Sequence, residues 1–342
     1  MIMSITKIIC RLTSTRPAVD LSGGHLNRDL LLNTRLPREK VVVILGSTGT
    51  GKSKLSVDIA SRFPAEIINS DKMQFYRDLD VVTNKISEAE KCGIPHHLMG
   101  MVDPDEDFTP EKFCEVATLA IGSIRARGQL PIIAGGSNSY IEALIPSYDK
   151  YYYQLRPVYD FCFLWVDVDM PVLHKFVSDR VDLMVKKGLV DEVREMFDPN
   201  ADYSRGVRRA IGVPELDLYF RTEKYLSRSA RGQVLAEAIK EIKNNTCKLA
   251  CRQLEKIHRL RDAKGWKLHH LDATEVFRKR GEEADRAWEE LVAGIGAEIV
   301  AEFLYNHHAL LGGGGFTYDD HPLSGIRFPR TTIETGVAAL TR

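Results

Sequence analysis

The run Val41-Val42-Val43-Ile44-Leu45, followed at once by Gly46-Ser47-Thr48-Gly49-Thr50-Gly51-Lys52-Ser53, constrains this chain more than any other feature. A continuous run of β-branched and apolar residues reads as a strand buried on both faces. Gly, four residues, then Gly-Lys-Ser is the spacing of a phosphate-binding loop. Gly46, Gly49 and Gly51 let the backbone turn so that successive N–H groups converge on phosphate oxygens. Lys52 adds a fixed positive charge, and the Ser53 hydroxyl can ligate Mg²⁺. The segment from Lys52 to Arg62 lacks Gly and Pro and can open a helix, so the strand–loop–helix context is met. The motif predicts a bound phosphate chain without saying whose.

Further short apolar runs alternate with helical patterns, at Glu66–Ile68, His97–Val102, Pro131–Ala134 and Phe161–Val168. Helices are expected at 52–62, 110–127 and 137–145. Thr109 is placed to cap the second, Pro110 suits its first position, and Arg127-Gly128 supplies a stop. Alternating strand and helix means βαβ units and a parallel sheet. From Asp169 the pattern turns helical, with Gly188 interrupting 171–196, a long amphipathic helix near 230–260, a last strand at Lys267–Leu271 and a helix over 282–304. The expected fold is α/β: a P-loop NTPase-like parallel sheet flanked by helices, with a smaller, mostly helical lobe. The expected division is 1–37 a transit peptide or flexible tail, 38–170 the P-loop core, 171–246 the helical lobe, 247–306 a helix and strand returning to the core, and 307–342 a disordered tail.

Charge and cysteine usage narrow the function. Lys plus Arg and Asp plus Glu are 47 each, which gives no general electrostatic footprint for nucleic acid or an anionic membrane. No apolar stretch approaches the roughly 18 residues of a membrane span. The six cysteines form no C-x-x-C pair, against a zinc ribbon or finger. Cys247 and Cys251 share a helix face and are expected to be small buried thiols in a reducing compartment. Residues 1–19 carry Lys7, Arg11 and Arg16, several Ser and Thr and no acid, the composition of an organelle transit peptide. The pairs His96-His97, His269-His270 and His307-His308 are given no metal role, since neighbours on a strand point to opposite faces.

The second strong feature is "INSDKMQFYRDLDVVTNK", residues 68–85. An apolar strand running into Asn69-Ser70-Asp71, expected to neighbour the strand before the loop, puts Asp71 at the carboxyl edge of a parallel sheet beside that loop, where such folds bind ligands. A carboxylate there can take a proton from an incoming nucleophile; equally, it can cap the turn that follows. A kinase or ATPase would need a Mg²⁺-holding acid at the end of a neighbouring strand. The run Pro131–Ala134 ends in Gly135-Gly136-Ser137-Asn138 without one, whereas Phe161–Val168 presents Asp167 and Asp169, so that reading stays open.

Together with the loop, the ordered blocks "NSDKMQFY", "TNK", "GIPHHLMG", "FTPEKF", "IIAGGSNSYI", "FLWVDVD", "RVDLMVKKGLVDEVREMF", "GVRRAIGVPEL" and "NTCKLACRQLEKI" resemble the isopentenyltransferases. The likeness is more specifically to the plant adenylate isopentenyltransferases of cytokinin biosynthesis, over about residues 40–305. It implies transfer of a dimethylallyl group from dimethylallyl diphosphate to N6 of adenine in ATP, ADP or AMP, in a plastid. By this resemblance Gly46, Ser47, Gly49, Thr50, Gly51, Lys52 and Ser53 hold the donor diphosphate, with Thr48 near the bridging oxygen and Ser53 towards Mg²⁺. Asp71 matches the general base, which makes Asp71, Lys52 and Thr48 the expected catalytic set. Thr83, Lys85, Ser137 and Asn138 match positions lining the active site. Arg180, Arg208, Arg209, Lys248 and Arg252 match basic positions on the acceptor side. The stripe Lys248, Arg252, Lys256 and Arg259 reads on its own as a solvated helix face.

A tRNA dimethylallyltransferase is the rival with the same chemistry, but it would need surface to grip RNA. No Cys/His finger spacing is present and the net charge is zero, so no nucleic-acid partner is expected. A P-loop kinase or ATPase, or a non-catalytic nucleotide-binding module, are the readings from other classes. No membrane partner is expected, and no oligomeric state follows from the sequence.

Overall fold

A computed structural model describes residues 39–145 and 159–305. The expectations for the tails, 1–37 and 307–342, lie outside the described residues. Six parallel strands form one sheet in the order β3-β2-β4-β1-β5-β6. In sequence they are β1 (Glu39–Gly46), β2 (Ala65–Asn69), β3 (His96–His97), β4 (Leu130–Ala134), β5 (Tyr159–Asp167) and β6 (Leu268–Asp272). Helices α1 (Lys52–Ala60), α2 (Glu88–Lys91), α3 (Pro110–Ala126) and α4 (Asn138–Leu144) connect the first strands. They are followed by α5 (Met170–Lys186), α6 (Leu189–Met196), α7 (Asp217–Thr222) and the 35-residue α8 (Arg228–Asp262). After β6 come α9 (Thr274–Arg278), α10 (Gly281–Trp288) and α11 (Gly294–Tyr305). No helix among the described residues is long and apolar enough to cross a membrane.

The period-2 alternation of β1 divides the core. Val42 and Ile44 face a cluster built with α1, α5 and the last helices, while Val41, Val43 and Leu45 face one built with α3 and α4. A third cluster fills the helical region, joining Phe75, Phe108 and Phe113 to Val181, Leu189, Leu216 and Ile242. Thr109 caps α3 by accepting from Lys112 N at 3.4 Å, and Gly128 in the left-handed region follows its end, as the residues predict.

Three expectations need correction. The run 97–102 is not a strand: β3 stops at His97, and Leu98 at φ +61° turns the chain away. The contact at this turn comes from elsewhere in the chain: Asn69 Nδ2, at the end of β2, donates to Leu98 O at 3.1 Å. The helix expected over 282–304 runs without a break but is not uniformly α: it passes through a π turn at Glu289–Ala293, where Arg62 Nη1 donates to Ala293 O at 3.2 Å. The strands carrying the phosphate loop and Asp71 are not neighbours, since β4 lies between β1 and β2.

That insertion makes Gly135, just after β4, the tightest point of the sheet's carboxyl edge. A Cβ there would lie 2.4 Å from the Ser70 carbonyl carbon and 2.5 Å from Asp71 N. Gly135→Ala should therefore displace the Asp71 turn, losing about 1–3 kcal/mol of stability in a chemical denaturation and most turnover. An unchanged denaturation midpoint would show that the turn yields freely.

Candidate active site

Strand β1 delivers the loop at the middle of the sheet's carboxyl edge, and α1 begins at Lys52. Gly49 (φ +86°) and Gly51 (φ +98°) are in the left-handed region, and a Cβ on either would come within 2.7 Å of Val177 or Trp288. The loop is thus clamped from both sides: α5 presses on Gly49 and the end of α10 on Gly51. Trp288 is fixed in turn by its indole N–H donating to Asp58 Oδ2 at 2.7 Å.

Helix α8 crosses the same edge and fastens the loop to its neighbour. Ser47 Oγ donates to Ala250 O at 2.9 Å, and Thr48 N donates to Gln253 Oε1 at 2.7 Å. Gln253 Nε2 donates to Gly136 O at 2.9 Å, and Asn138 Nδ2 donates to Gln253 O at 3.1 Å. Thr50 is fully buried, and its Oγ1 donates to Ser47 O at 3.0 Å. Ser53 is exposed on the first turn of α1.

Asp71 opens a short 3-10 turn, Lys72–Phe75, and its Oδ1 accepts from Met73 N at 3.1 Å. The second carboxylate oxygen, Oδ2, lies 3.4 Å from where a Cβ of Gly136 would stand. The turn is rigid. Phe75 is fully buried against Phe108, Phe113 and Tyr140 with centroids 4.6–5.8 Å apart, and Lys72 N donates to Ser137 Oγ at 2.8 Å.

Lys52, Asp71 and Arg180 are electrostatically coupled across this edge. Burial holds Lys52 down to about 8, partly offset by Asp71 and reinforced by Arg180. Burial raises the Asp71 carboxyl above the usual carboxylate range, opposed by the Lys52 charge. Arg180 is lowered to about 10, again by burial, with Asp71 opposing. Arg180 Nη2 donates to Thr48 Oγ1 at 2.9 Å, while its buried Nε has no hydrogen-bond partner among the described residues. Two cations and one carboxylate leave one positive charge over, with an unsatisfied donor beside a nest of backbone N–H groups. Such an arrangement calls for an anion.

Next to Asp71 opens a cavity of about 660 Å³, lined by Lys72, Ser137, Arg209, Arg252, Gln253 and Lys256 among others. Of the basic residues expected on the acceptor side, Arg209 and Arg252 line this space; Arg209 is tethered by Asp107 at 3.2 Å. Arg180 belongs to the donor loop instead. Arg208 binds Asp105 and Met196 O, and Lys248 reaches Asn245 Oδ1 at 3.4 Å on its own helix. Thr83 and Lys85 serve their own loop, with Thr83 Oγ1 donating to Leu79 O and Lys85 Nζ to Asp78 O and Asp80. Ser137 and Asn138 hold the Asp71 turn and α8.

Sequence reasoning missed Gln253 and Lys72 and left Lys256 without a site. The available signal was positional: Leu249, Arg252, Gln253 and Lys256 fall at i, i+3, i+4 and i+7, one face of α8. The two thiols of α8 are partly exposed rather than buried, and Cys251 Sγ lies 3.3 Å from His174 Nε2.

Fold and site together define a P-loop group-transfer core with a carboxylate opposite an anion site. The chain belongs to the IPP transferase family, whose model matches residues 74–154 and 148–259. It is 52% identical to adenylate isopentenyltransferase 3, chloroplastic, of Arabidopsis thaliana, over 89% of this chain and 91% of that one. It is also 52% identical to adenylate isopentenyltransferase 7, mitochondrial, of the same plant, covering 80% of this chain and 83% of that one. Among solved structures it is similar to a eukaryotic dimethylallyltransferase acting on tRNA, with a TM-score of 0.65 and 26% identity, covering 78% of this chain and 80% of that one. The chain is therefore a member of a prenyltransferase family.

The pKa directions set a pH profile. For a reaction that uses Asp71 as its base, kcat/KM should fall with decreasing pH through the raised pKa of that carboxyl. Lys52 loses its charge as pH rises through about 8, which weakens anion binding and gives an alkaline limb. Lys52→Arg should move that limb beyond pH 9 in initial-rate measurements; an unmoved limb would exclude Lys52 as its source.

Proposed function

We propose that the protein transfers a dimethylallyl group from dimethylallyl diphosphate to the exocyclic N6 of the adenine of ATP or ADP, with AMP an admissible acceptor, the first step of cytokinin biosynthesis. The observation that carries this reading is the placement of the Asp71 carboxylate between two anion-seeking regions. One is the loop with Lys52 and Arg180, the other the cavity with Lys72, Arg209, Arg252 and Lys256. Family membership and the adenylate-acting relatives support it.

The loop holds the donor's diphosphate, its backbone N–H groups and Lys52 stabilising negative charge as the allylic C1–O bond breaks. Arg180, hydrogen-bonded to Thr48 Oγ1, offers its charge to the leaving oxygen. The adenine N6 is a weak nucleophile because its lone pair is delocalised into the ring. As N6 bonds to C1 it becomes cationic, and Asp71 takes its proton, which is worth about 10²–10⁴ in rate. The acceptor's phosphates extend into the basic cavity, where Arg209 and Arg252 offer bidentate contacts. Mg²⁺, which favours hard oxygen ligands and substrate phosphates, suits the exposed Ser53 hydroxyl, and it supplies charge neutralisation to the leaving diphosphate. Among the described residues no group of three His, Cys, Asp or Glu gathers as a metal cage. A plastid location follows from the N-terminal composition and from the chloroplastic and mitochondrial relatives.

The test is to supply Mg²⁺ and dimethylallyl diphosphate with ATP, ADP, AMP or tRNA separately and identify products by mass spectrometry. Prenylated ATP or ADP with released diphosphate is expected. Product from tRNA alone would transfer the assignment to an RNA acceptor, and ADP with free phosphate from ATP would make it a nucleotidase. Asp71→Asn should lower kcat by about 10²–10⁴ and leave donor affinity within a few-fold. Turnover retained in that variant would remove Asp71 as the base.

A further inference from the structure

We propose that Gln253 is a positioning residue that couples the two substrate sites, so that occupation of one strengthens binding at the other. The proposal rests on the donor and acceptor assignment above. Gln253 is 8% exposed, and its side-chain oxygen, side-chain nitrogen and main-chain oxygen are each hydrogen-bonded. Its Oε1 accepts from Thr48 N in the donor loop at 2.7 Å, and its Nε2 donates to Gly136 O at 2.9 Å on the acceptor side. Its main-chain oxygen accepts from Asn138 Nδ2 at 3.1 Å. At either end the link reaches a reacting partner. Thr48 Oγ1 receives Arg180, the unsatisfied cation of the donor site. Gly136 lies against Asp71 Oδ2, and Gln253 itself lines the acceptor cavity.

The packing leaves this link no slack. A Cβ on Gly136 would stand 2.4 Å from Gln253 Nε2, so the amide already fills the space between the two loops. Anion binding that pulls Thr48 must move Gln253, and with it Gly136 and the wall of the cavity. A coupling of this kind is reciprocal, because the factor by which the acceptor tightens the donor equals the factor by which the donor tightens the acceptor. A buried amide suits the task better than an ion pair, since its two ends are a fixed acceptor and a fixed donor that cannot exchange partners by titration.

The experiment uses the full chain with Mg²⁺, inorganic diphosphate as the probe of the loop and ADP as the probe of the cavity. Diphosphate affinity is measured calorimetrically with and without saturating ADP. An initial-rate grid over dimethylallyl diphosphate and ADP gives the same factor from turnover. Wild type should show tightening of about 5-fold or more. Gln253→Ala should abolish that factor and lower kcat, while each ligand alone binds within about threefold of wild type. Gln253→Glu keeps an oxygen for Thr48 N but sets another against Gly136 O. It should therefore retain diphosphate affinity and still lose the coupling. A merely structural role would lower melting temperature and both affinities together. Independent binding in wild type, with a ternary complex formed, would overturn the coupling and leave the transferase assignment standing. Competition of ADP with diphosphate for one site would overturn both.

Discussion

The structure depends on keeping two cations and one carboxylate in a single cleft out of bulk water. Removing a charge from water costs several kcal/mol, and here the charges do not cancel. The surplus belongs to Lys52 and Arg180, and the depressed pKa of each records that cost. Such a cleft persists only where the rest of the fold over-determines it. The devices are visible: Trp288 and Val177 against the loop glycines, the aromatic cluster beneath the Asp71 turn, and α8 laid across the whole edge. A bound anion would offset that cost by pairing the surplus charge.

The order of the strands follows from the same need. Had β2 paired directly with β1, Asp71 would stand beside the loop and close on Lys52 as a plain ion pair. With β4 between them, the two are separated by a loop whose first residues are glycines. The gap this leaves is too small for a side chain, yet open enough for the Asp71 oxygen to look across it. A base and a leaving-group site must face each other over the reacting carbon, and interposing one strand is an economical way to set that spacing.

These arrangements were legible in the sequence to different degrees. The loop and the Asp71 turn are written locally, in glycine spacing and in a strand that runs into Asn-Ser-Asp, and both stand where their residues imply. Helix starts at Thr109 and at Gly188 are likewise local chemistry, a cap hydroxyl and a left-handed glycine. Strand order is not local, because an apolar run says that it is buried without naming its neighbours. The shortened β3 was illegible for a related reason: Asn69, 29 residues away, ends it. Gln253 lay furthest from view, since its partner Thr48 is 205 residues distant, although Ala250, Ile257 and Leu260 at helical spacing put it on the buried face of α8.

The basic residues show how a correct pattern can carry several meanings. Arg180, Arg208, Arg209, Lys248 and Arg252 look alike in sequence, yet their surroundings separate them. Arg180 is half-buried, with its enclosed Nε left unsatisfied; Arg208 is consumed by Asp105 and a carbonyl; Arg209 is tethered but faces the cavity. A side chain already paired to its own scaffold contributes packing and orientation. One left buried and under-bonded stores free energy that only a ligand can release. By that criterion the donor end of the cleft is fully prepared before binding. The acceptor end, where Asp107 restrains Arg209 and Arg252 and Lys256 stand exposed on α8, keeps its charges partly solvated. On the substrate assignment proposed above, that difference predicts tighter recognition of the diphosphate than of the acceptor's phosphate chain.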